Sequence, residues 1–95
     1  MGTPLESALT AELKFYAAFE QGDLDLMMAV WATSADIVCV HPLGSVLVGP
    51  SAIRASWAEI LAMQVPRKFE IERVQTITTQ DLVLHLVYES ITLPL

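Results

Sequence analysis

The segment from Asp36 to Ile53 constrains the fold of this 95-residue chain more than any other. It begins with a β-branched run from Ile37 to Val40, which predicts a strand. Pro42-Leu43-Gly44 then ends the strand, and Ser45 to Val48 resumes an extended conformation. Gly49-Pro50-Ser51 opens a helix. The segment therefore predicts two short strands, a tight turn with one histidine beside it, and a helix start.

Two helices are predicted before this segment. Thr3-Pro4-Leu5-Glu6 combines a capping residue, a first-turn proline and an acidic residue three positions after the cap, and it predicts a helix from Pro4 to Gln21 that ends at Gly22. Asp23 caps a second, short helix that runs to Trp31. The apolar stripe of the first helix is expected to comprise Leu5, Leu9, Leu13, Tyr16 and Ala17, with Phe15 and Phe19 beside it.

The rest of the chain predicts one helix and a long hairpin. The helix covers Ser51 to Met63, and Pro66 prevents its continuation. Strands are expected from Phe69 to Thr78 and from Leu82 to Leu93, and the second is apolar on both faces, so we expect it to be central and covered. The order α-α-β-β-α-β-β predicts an α+β fold with a mostly antiparallel sheet, in a single domain that spans residues 1–95.

Composition narrows the partners and the compartment. The net charge of −6 leaves no surface that could neutralise phosphates, so neither nucleic acid nor an anionic membrane surface is an expected partner. Cys39 is the only cysteine, which excludes an intrachain disulfide and favours a reducing cytoplasm. The N-terminus lacks the basic start and long apolar core of a signal peptide. Because 54% of the residues are apolar, we expect some apolar surface to contact a partner subunit, in a homodimer, or chain that is missing here.

Four features follow one another in a fixed order between Phe15 and Ile60. They are an aromatic-rich helix ending in Gly22-Asp23-Leu24-Asp25, then Trp31-Ala32, then a strand into His41-Pro42-x-Gly44, then Gly49-x-x-Ala52-Ile53-Arg54. This order resembles the nuclear transport factor two-like superfamily, in its SnoaL-like and ketosteroid-isomerase-like branch. The resemblance implies a cone-like, curved, mostly antiparallel sheet packed on the N-terminal helices, a pocket at the open end, and frequent homodimers.

The chain departs from the pattern of that superfamily in length and at the site. Members finish with two further strands, whereas this sequence stops at Leu95, so we expect a fragment or another chain over the edge of the last strand. In ketosteroid isomerases an aspartate general base precedes the Pro-x-Gly, where this chain has His41. A tyrosine of the first helix donates to the oxyanion there, at the position that Phe15 occupies here. The second oxyanion donor would come from the part that this sequence lacks. The steroid isomerase mechanism is therefore not supported.

His41 is the predicted catalytic residue. Strand alternation places Ile37, Cys39 and His41 on one face, which the resemblance turns toward the pocket. A histidine can exchange protons near neutral pH, so His41 is expected to act as a general acid or base and to contact the ligand. The alternative is a structural histidine whose ring bonds to the backbone at the Pro42 turn.

The other predicted ligand-binding residues are aromatic, or are the remaining histidine and the cysteine: Phe15, Tyr16, Trp31, Cys39, Trp57 and His85. Each has a structural alternative. Cys39 has no cation beside it in sequence, which favours a buried apolar thiol, and the alternative for His85 is a satisfied sheet or interface histidine. Among the aromatics, Trp31 and Phe19 are expected in the core and Tyr16 and Trp57 nearer the cavity. The two histidines and the cysteine lack tight ligand spacing, so no metal and no other cofactor is predicted.

Two functions of different class remain open from the residues. The first is a small-molecule pocket protein that binds a mostly apolar organic ligand and catalyses isomerisation, cyclisation or dehydration with His41 as the acid or base. The second is a non-catalytic, homo-oligomeric association module that uses its apolar sheet. A truncated remnant with an incomplete pocket is the third possibility. Fold resemblance alone does not separate binding from catalysis.

Overall fold

The computed structural model describes residues 3–93, which form three helices and two antiparallel hairpins. The helices are α1 (Pro4–Gln21), α2 (Leu24–Val30) and α3 (Pro50–Ala62); the strands are β1 (Val38–Val40), β2 (Val46–Val48), β3 (Lys68–Thr78) and β4 (Val83–Thr92). This order confirms the predicted α+β class and the sequence of elements. Residues 1, 2, 94 and 95 lie outside the described part, so the single-domain prediction for 1–95 extends beyond it.

The predicted helix ends occur where the capping residues are. The hydroxyl oxygen of Thr3 accepts a hydrogen bond from the Glu6 amide at 3.1 Å, and the Glu6 carboxylate accepts one from the Thr3 amide at 3.0 Å. This reciprocal capping box satisfies two amides that the first turn leaves free. Gly22 ends α1 in the left-handed region at φ 69°, and the Asp23 carboxylate caps α2 by accepting from the Leu26 amide at 2.9 Å. Local sequence thus fixes where α1 stops and α2 starts.

The buried face of α1 differs from the predicted stripe. Leu13 is 69% exposed, whereas Ala18 is fully buried. Phe15 and Phe19 pack instead against Trp57 of α3, with ring centroids 5.5 and 4.9 Å away. Burying three aromatic rings together removes more apolar surface from water than burying the predicted leucines, and this rotates the contact face of the helix. The prediction for Leu13 was wrong for that reason.

A bulge at Val74 determines which side chains of the β3–β4 hairpin share a face. Arg73 pairs with Val87 and Gln75 pairs with Leu86, so Val74 is the extra residue. Residues on the face toward α1, called the inner face, include Phe69, Ile71, Arg73, Thr76, His85, Val87 and Glu89. Those on the opposite face, called the outer face, include Ile77, Leu84, Leu86, Tyr88 and Ser90. Without the bulge, Arg73 and Thr76 would project from opposite faces.

β4 is not covered on both faces as its sequence predicts. Its one strand partner within residues 3–93 is β3, and α1 packs against the inner face of the hairpin. On the outer face Leu86 and Tyr88 are 58% and 67% exposed. The outer face of the hairpin is therefore an exposed, partly apolar surface.

The core lies where α1, α2, α3 and β1 meet. Its buried members are Ala18, Met27, Cys39, Ile53, Trp57 and Leu61. No helix within residues 3–93 has both the length and the apolar character needed to cross a bilayer.

Candidate functional site

His41 stands at the end of β1, immediately before a tight turn. The Gly44 amide donates to the His41 carbonyl oxygen at 2.9 Å, which closes a four-residue turn with Pro42 and Leu43 at its centre. A Cβ on Gly44 would come within 3.2 Å of that carbonyl oxygen, so glycine suits the position. Cys39 is buried while Val38 and Val40 are exposed, so Cys39 and the half-buried His41 share the inward face of β1, as alternation predicts.

The His41 ring bonds to α3. Its Nε2 lies 3.0 Å from Ser56 Oγ and 3.6 Å from Cys39 Sγ, and the ring meets Trp57 edge to face with centroids 4.8 Å apart. Ser56 donates its own hydrogen to the Ile53 carbonyl at 2.7 Å, so its oxygen is left to accept from His41 Nε2–H. This network assigns the hydrogen to Nε2 and the lone pair to Nδ1 of the neutral ring. Nδ1 has no hydrogen bond to any residue of the described part.

Cys39 is a protonated, buried thiol at neutral pH. Burial raises the pKa of the Cys39 thiol, because an apolar environment disfavours the thiolate. The side chain is 7% exposed and belongs to the core. A raised pKa reduces the thiolate fraction that nucleophilic attack requires, so the environment of Cys39 favours the structural alternative.

A second cluster of polar side chains lies between α1 and the inner face of the hairpin. His85 Nδ1 is 2.6 Å from Glu12 Oε2, and the Arg73 guanidinium reaches the same oxygen at 3.6 Å. The side chains of His85 and Glu12 are only 12% and 15% exposed. His85 Nε2 is buried and has no hydrogen-bond partner within residues 3–93. A carboxylate thus sits between a guanidinium and an imidazole, and one ring nitrogen is left free.

Tyr16 forms a separate contact beside that cluster. Its hydroxyl donates to Glu89 Oε2 at 2.6 Å, across 73 residues of sequence. Burial, followed by the hydrogen bond to Glu89 and the negative charges of Glu89 and Glu12, raises the pKa of the Tyr16 phenol well above its usual range. Tyr16 therefore remains a neutral hydrogen-bond donor at any physiological pH.

Replacing Tyr16 by phenylalanine should change how stability depends on alkaline pH. The phenol has a higher pKa in the folded chain than in the unfolded chain, so its contribution is complete below about pH 10 and declines as the pH rises further. The free energy of unfolding of wild type should fall relative to Tyr16→Phe above about pH 10, by up to about 1.4 kcal/mol per pH unit. Urea unfolding between pH 8 and 11 measures this difference. Parallel curves over the whole range would contradict it, and a constant offset below pH 9 is the internal control.

A cavity of about 350 Å³ opens between α1 and β4. We call it the α1–β4 cavity, and its lining residues are Ala8, Ala11, Glu12, Phe15, Tyr16, Val83, His85 and Val87. Another cavity, of about 280 Å³, lies between Phe19, Phe69 and Ile91 and has Arg67 as its polar lining residue. The α1–β4 cavity differs because Glu12, Tyr16 and His85 all line it, beside five apolar residues.

The structure divides the predicted site residues into two groups. Phe15, Tyr16 and His85 line the α1–β4 cavity. Cys39, His41 and Trp57 lie together on the other side of Phe15, whose ring is edge to face with both Tyr16 and Trp57. Trp57 is 2% exposed, so the expectation that it would lie nearer the cavity was wrong: the contacts of its ring with Phe15 and Phe19 place it in the core.

Trp31 was expected in the core and is half-buried at the end of α2, where it packs against the core cluster. Its Nε1 is buried without a hydrogen-bond partner inside residues 3–93. Trp31 does not line the α1–β4 cavity.

The sequence prediction missed the polar partners of both groups: Glu12, Arg73, Glu89 and Ser56. One signal for Glu12 was available. Ala8, Ala11, Glu12 and Phe15 have the helical spacing of a buried face, and a carboxylate within such a face needs a partner. The sequence around Arg73 and Glu89 gave no comparable indication of a buried polar contact, because charged residues on a strand are equally typical of a sheet face exposed to solvent.

No cluster of three or more His, Cys, Asp or Glu side chains with a geometry that could hold a metal ion occurs within residues 3–93.

Helices packed on antiparallel hairpins define an α+β fold that several solved structures share. A candidate calcium/calmodulin-dependent protein kinase type II association domain from Thiobacillus denitrificans is 37% identical, with a TM-score of 0.86 over 97% of this chain and 70% of that chain. A candidate dehydratase of the NTF2-like family from Streptomyces avermitilis is 31% identical, with a TM-score of 0.82 over 93% of this chain and 70% of that chain. An epoxide hydrolase from M. tuberculosis that resembles LEH is 22% identical, with a TM-score of 0.58 over 93% of this chain and 62% of that chain, and it shares the fold alone.

The family follows from the sequence match. Residues 9–94 match the model of the SnoaL-like domain, and the chain therefore belongs to the SnoaL-like domain family. The resemblance found in the sequence is confirmed, both for this family and for the NTF2-like fold. The curated proteins contain no match to this sequence.

Proposed function

We propose that this protein binds a mostly apolar organic molecule in the α1–β4 cavity. The observation that carries the proposal is the make-up of the cavity wall. Five lining residues are apolar, and the other three, Glu12, Tyr16 and His85, have polar side chains. Pockets for small organic molecules typically combine such a wall with a few polar groups that orient the ligand.

Size and family support the same proposal. A volume of about 350 Å³ is within the range of ligand pockets in proteins, which starts at about 300 Å³. The Streptomyces avermitilis structure is described as that of a candidate dehydratase. This description supports extending the proposal to a proton-transfer reaction of the isomerisation, cyclisation or dehydration type. These reactions move protons within a substrate and need positioned acids and bases.

The acid/base role of His41 stays a prediction within this proposal. Its Nδ1 carries the free lone pair of the ring and would be the atom that accepts a proton. Neither Ser56 nor Trp57, which hold the ring, lines the α1–β4 cavity. A ligand that reaches both histidines would have to extend past Phe15.

Filling the cavity tests the proposal. Ala8 lines the α1–β4 cavity, and Ala8→Leu adds three carbons to its wall. Wild type should bind the neutral probe 2-methoxynaphthalene in a saturable manner, measured by the probe's fluorescence. Ala8→Leu should weaken binding by about 5- to 150-fold, because overpacking costs about 1–3 kcal/mol and each 1.4 kcal/mol is a factor of ten.

Ala29→Leu is the matched control, because Ala29 is exposed on α2 and lies outside this cavity. It should bind the probe as wild type does. Absence of saturable binding to wild type, or unchanged binding to Ala8→Leu, would refute the proposal.

A second candidate function is homo-oligomeric association through the outer face of the hairpin. Ile77, Leu84, Leu86 and Tyr88 form an apolar patch there, and each is about half exposed or more. Contiguous exposed apolar surface is characteristic of protein interfaces. The description of the Thiobacillus denitrificans protein as an association domain supports this candidate. The two functions use opposite faces of β4, so one protein could carry both.

A further inference from the structure

We propose that Glu12 and His85 form a proton-accepting pair, and that the ligand of the α1–β4 cavity carries a hydroxyl group that donates to His85 Nε2. The ligand class is therefore an apolar alcohol, enol or phenol. This inference rests on the proposed function, because it assigns the ligand class of the same cavity.

The contact with Glu12 determines which nitrogen of His85 is free. A separation of 2.6 Å between His85 Nδ1 and Glu12 Oε2 is that of a short, charge-assisted hydrogen bond. A carboxylate can only accept, so Nδ1 carries the hydrogen and Nε2 of the neutral ring carries a lone pair. The pair thereby leaves Nε2 of His85, a residue that lines the cavity, as a hydrogen-bond acceptor.

Nε2 is the unpaired atom that a ligand would satisfy. It is buried, and no residue of the described part bonds to it. A buried acceptor without a partner costs about 1–3 kcal/mol, and a hydroxyl group that donates to it would recover that cost on binding. A ligand with the same apolar area and no hydroxyl would leave Nε2 unpaired.

Charged and polar groups face His85 from α1, from β3 and from its own strand. From α1 it faces Glu12, with Tyr16 one turn further along the helix; from β3 the nearby groups are Arg73 and Thr76, and from its own strand Glu89. The Tyr16 hydroxyl is already donated to Glu89, which leaves the Glu12 carboxylate to stabilise a protonated His85. Arg73 contacts the same Glu12 oxygen at 3.6 Å and its positive charge opposes one on the ring, but its side chain is 45% exposed and therefore screened by solvent.

The proton transfer balances within the cavity. The O–H bond of the ligand breaks, an N–H bond forms at Nε2, and the electron pair stays on the ligand oxygen. The products are an imidazolium beside the Glu12 carboxylate and an oxyanion or enolate in the cavity. Return of the proton to another ligand atom completes an isomerisation without any co-reactant. His85 is the proton acceptor, and Glu12 is a positioning residue that acts through it.

A matched pair of probes tests the hydroxyl requirement. 2-Naphthol and 2-methoxynaphthalene have almost the same apolar surface, and only the first can donate a hydrogen. 2-Naphthol is also a photoacid: on excitation it transfers its proton to a hydrogen-bonded base and emits at longer wavelength as naphtholate. Wild type should bind 2-naphthol about tenfold more tightly than 2-methoxynaphthalene, and bound 2-naphthol should emit a larger share of its light as naphtholate than free 2-naphthol, which transfers its proton only to water.

The variant His85→Asn distinguishes a proton-accepting pair from a contact that only stabilises the fold. An asparagine amide occupies the place of Nδ1 and can still donate to Glu12, but it presents no base at the place of Nε2. The variant should bind both probes with equal affinity and lose the naphtholate emission, while its affinity for 2-methoxynaphthalene stays within about twofold of wild type. Glu12→Gln should keep the tighter binding of 2-naphthol and weaken the naphtholate emission, because the charge that stabilises the protonated ring is gone. Glu59→Gln, the same change at an exposed position of α3, should match wild type in both readouts.

The outcomes distinguish this inference from the proposed function. If wild type binds both probes equally, or if His85→Asn keeps the naphtholate emission, the inference is wrong and ligand binding stands. Loss of the emission in His41→Gln with retention in His85→Asn would assign the proton acceptor to His41 and overturn the inference. If neither probe binds wild type, both the proposed function and the inference that rests on it are wrong. Circular dichroism checks the fold of each variant. If His85→Asn does not fold, the naphtholate emission of Glu12→Gln tests the inference instead.

Discussion

Replacing Trp57 by alanine is expected to lower the free energy of unfolding by about 3–5 kcal/mol. The residue is 2% exposed, and its ring meets those of Phe15, Phe19 and His41 edge to face, with centroids 4.8 to 5.5 Å apart. Alanine would leave a cavity that these three rings cannot close without moving, so the loss includes a cavity cost beyond the lost burial. Small domains are stable by only about 5–15 kcal/mol, so this single change removes a large share.

Guanidinium unfolding followed by circular dichroism measures this loss. Trp57→Phe is the control, because it keeps an aromatic ring at the centre of the cluster. Trp57 Nε1 has no hydrogen bond within residues 3–93, so phenylalanine leaves no donor or acceptor without a partner there. Its loss of stability should be well below that of alanine. A Trp57→Ala variant within about 1 kcal/mol of wild type would show that the cluster does not hold α1 to α3.

The elements could be predicted from the sequence because their signals are local. The reciprocal bonds of Thr3 and Glu6, the left-handed Gly22 and the Asp23 cap each involve residues a few positions apart. The alternation that places Cys39 and His41 on one face is equally local. The family resemblance between Phe15 and Ile60 is also a sequence pattern, and the family match over residues 9–94 confirms it.

The polar cluster of the α1–β4 cavity could not be predicted, because it depends on pairing between distant segments. Glu12 and His85 are 73 residues apart, as are Tyr16 and Glu89. The second contact lies four residues further along both α1 and β4 than the first. Arg73 joins them only because the bulge at Val74 lets it share the inner face with His85 and Thr76. A bulge changes which side chains beyond it face inward. The alternation of apolar and polar residues in β3 does not indicate where the bulge lies.

The structure gives different surroundings to His41, which the sequence predicts as the catalytic residue, and His85, which it predicts only as a ligand-binding residue or a satisfied histidine. His41 Nε2 is bonded to Ser56 and the ring meets Trp57 edge to face, whereas His85 Nδ1 is bonded to Glu12. Each ring keeps one nitrogen without a hydrogen bond within residues 3–93, but only that of His85 is a buried atom, and His85 lines the α1–β4 cavity. A buried nitrogen without a partner gains more from a ligand hydroxyl group than a nitrogen that water can reach. This difference is why the proton-accepting pair is assigned to α1 and β4, and why His41 needs a separate test.

Replacing Leu86 by lysine is expected to convert a dimer into a monomer if the outer face of the hairpin is an interface. Leu86 lies between Leu84 and Tyr88 in the apolar patch and is 58% exposed in the single chain. In a two-fold interface every substitution occurs twice, so the variant would bury two unpaired ammonium groups near each other. An uncompensated buried charge costs about 2–5 kcal/mol, so the dissociation constant should rise by at least about a hundredfold.

Light scattering after size exclusion, at micromolar concentration, measures the mass directly. Wild type should have twice the 10.4 kDa mass of one chain, and Leu86→Lys should have the mass of one chain. Ser90→Lys adds the same charge to the same face of the same strand, but opposite the polar Glu70 and beyond the apolar patch, so it should remain a dimer. A wild type that is monomeric and binds no dye for exposed apolar surface would exclude association through this face. Because Leu86 projects away from α1, a monomeric Leu86→Lys that still binds 2-methoxynaphthalene would show that the cavity forms within one chain.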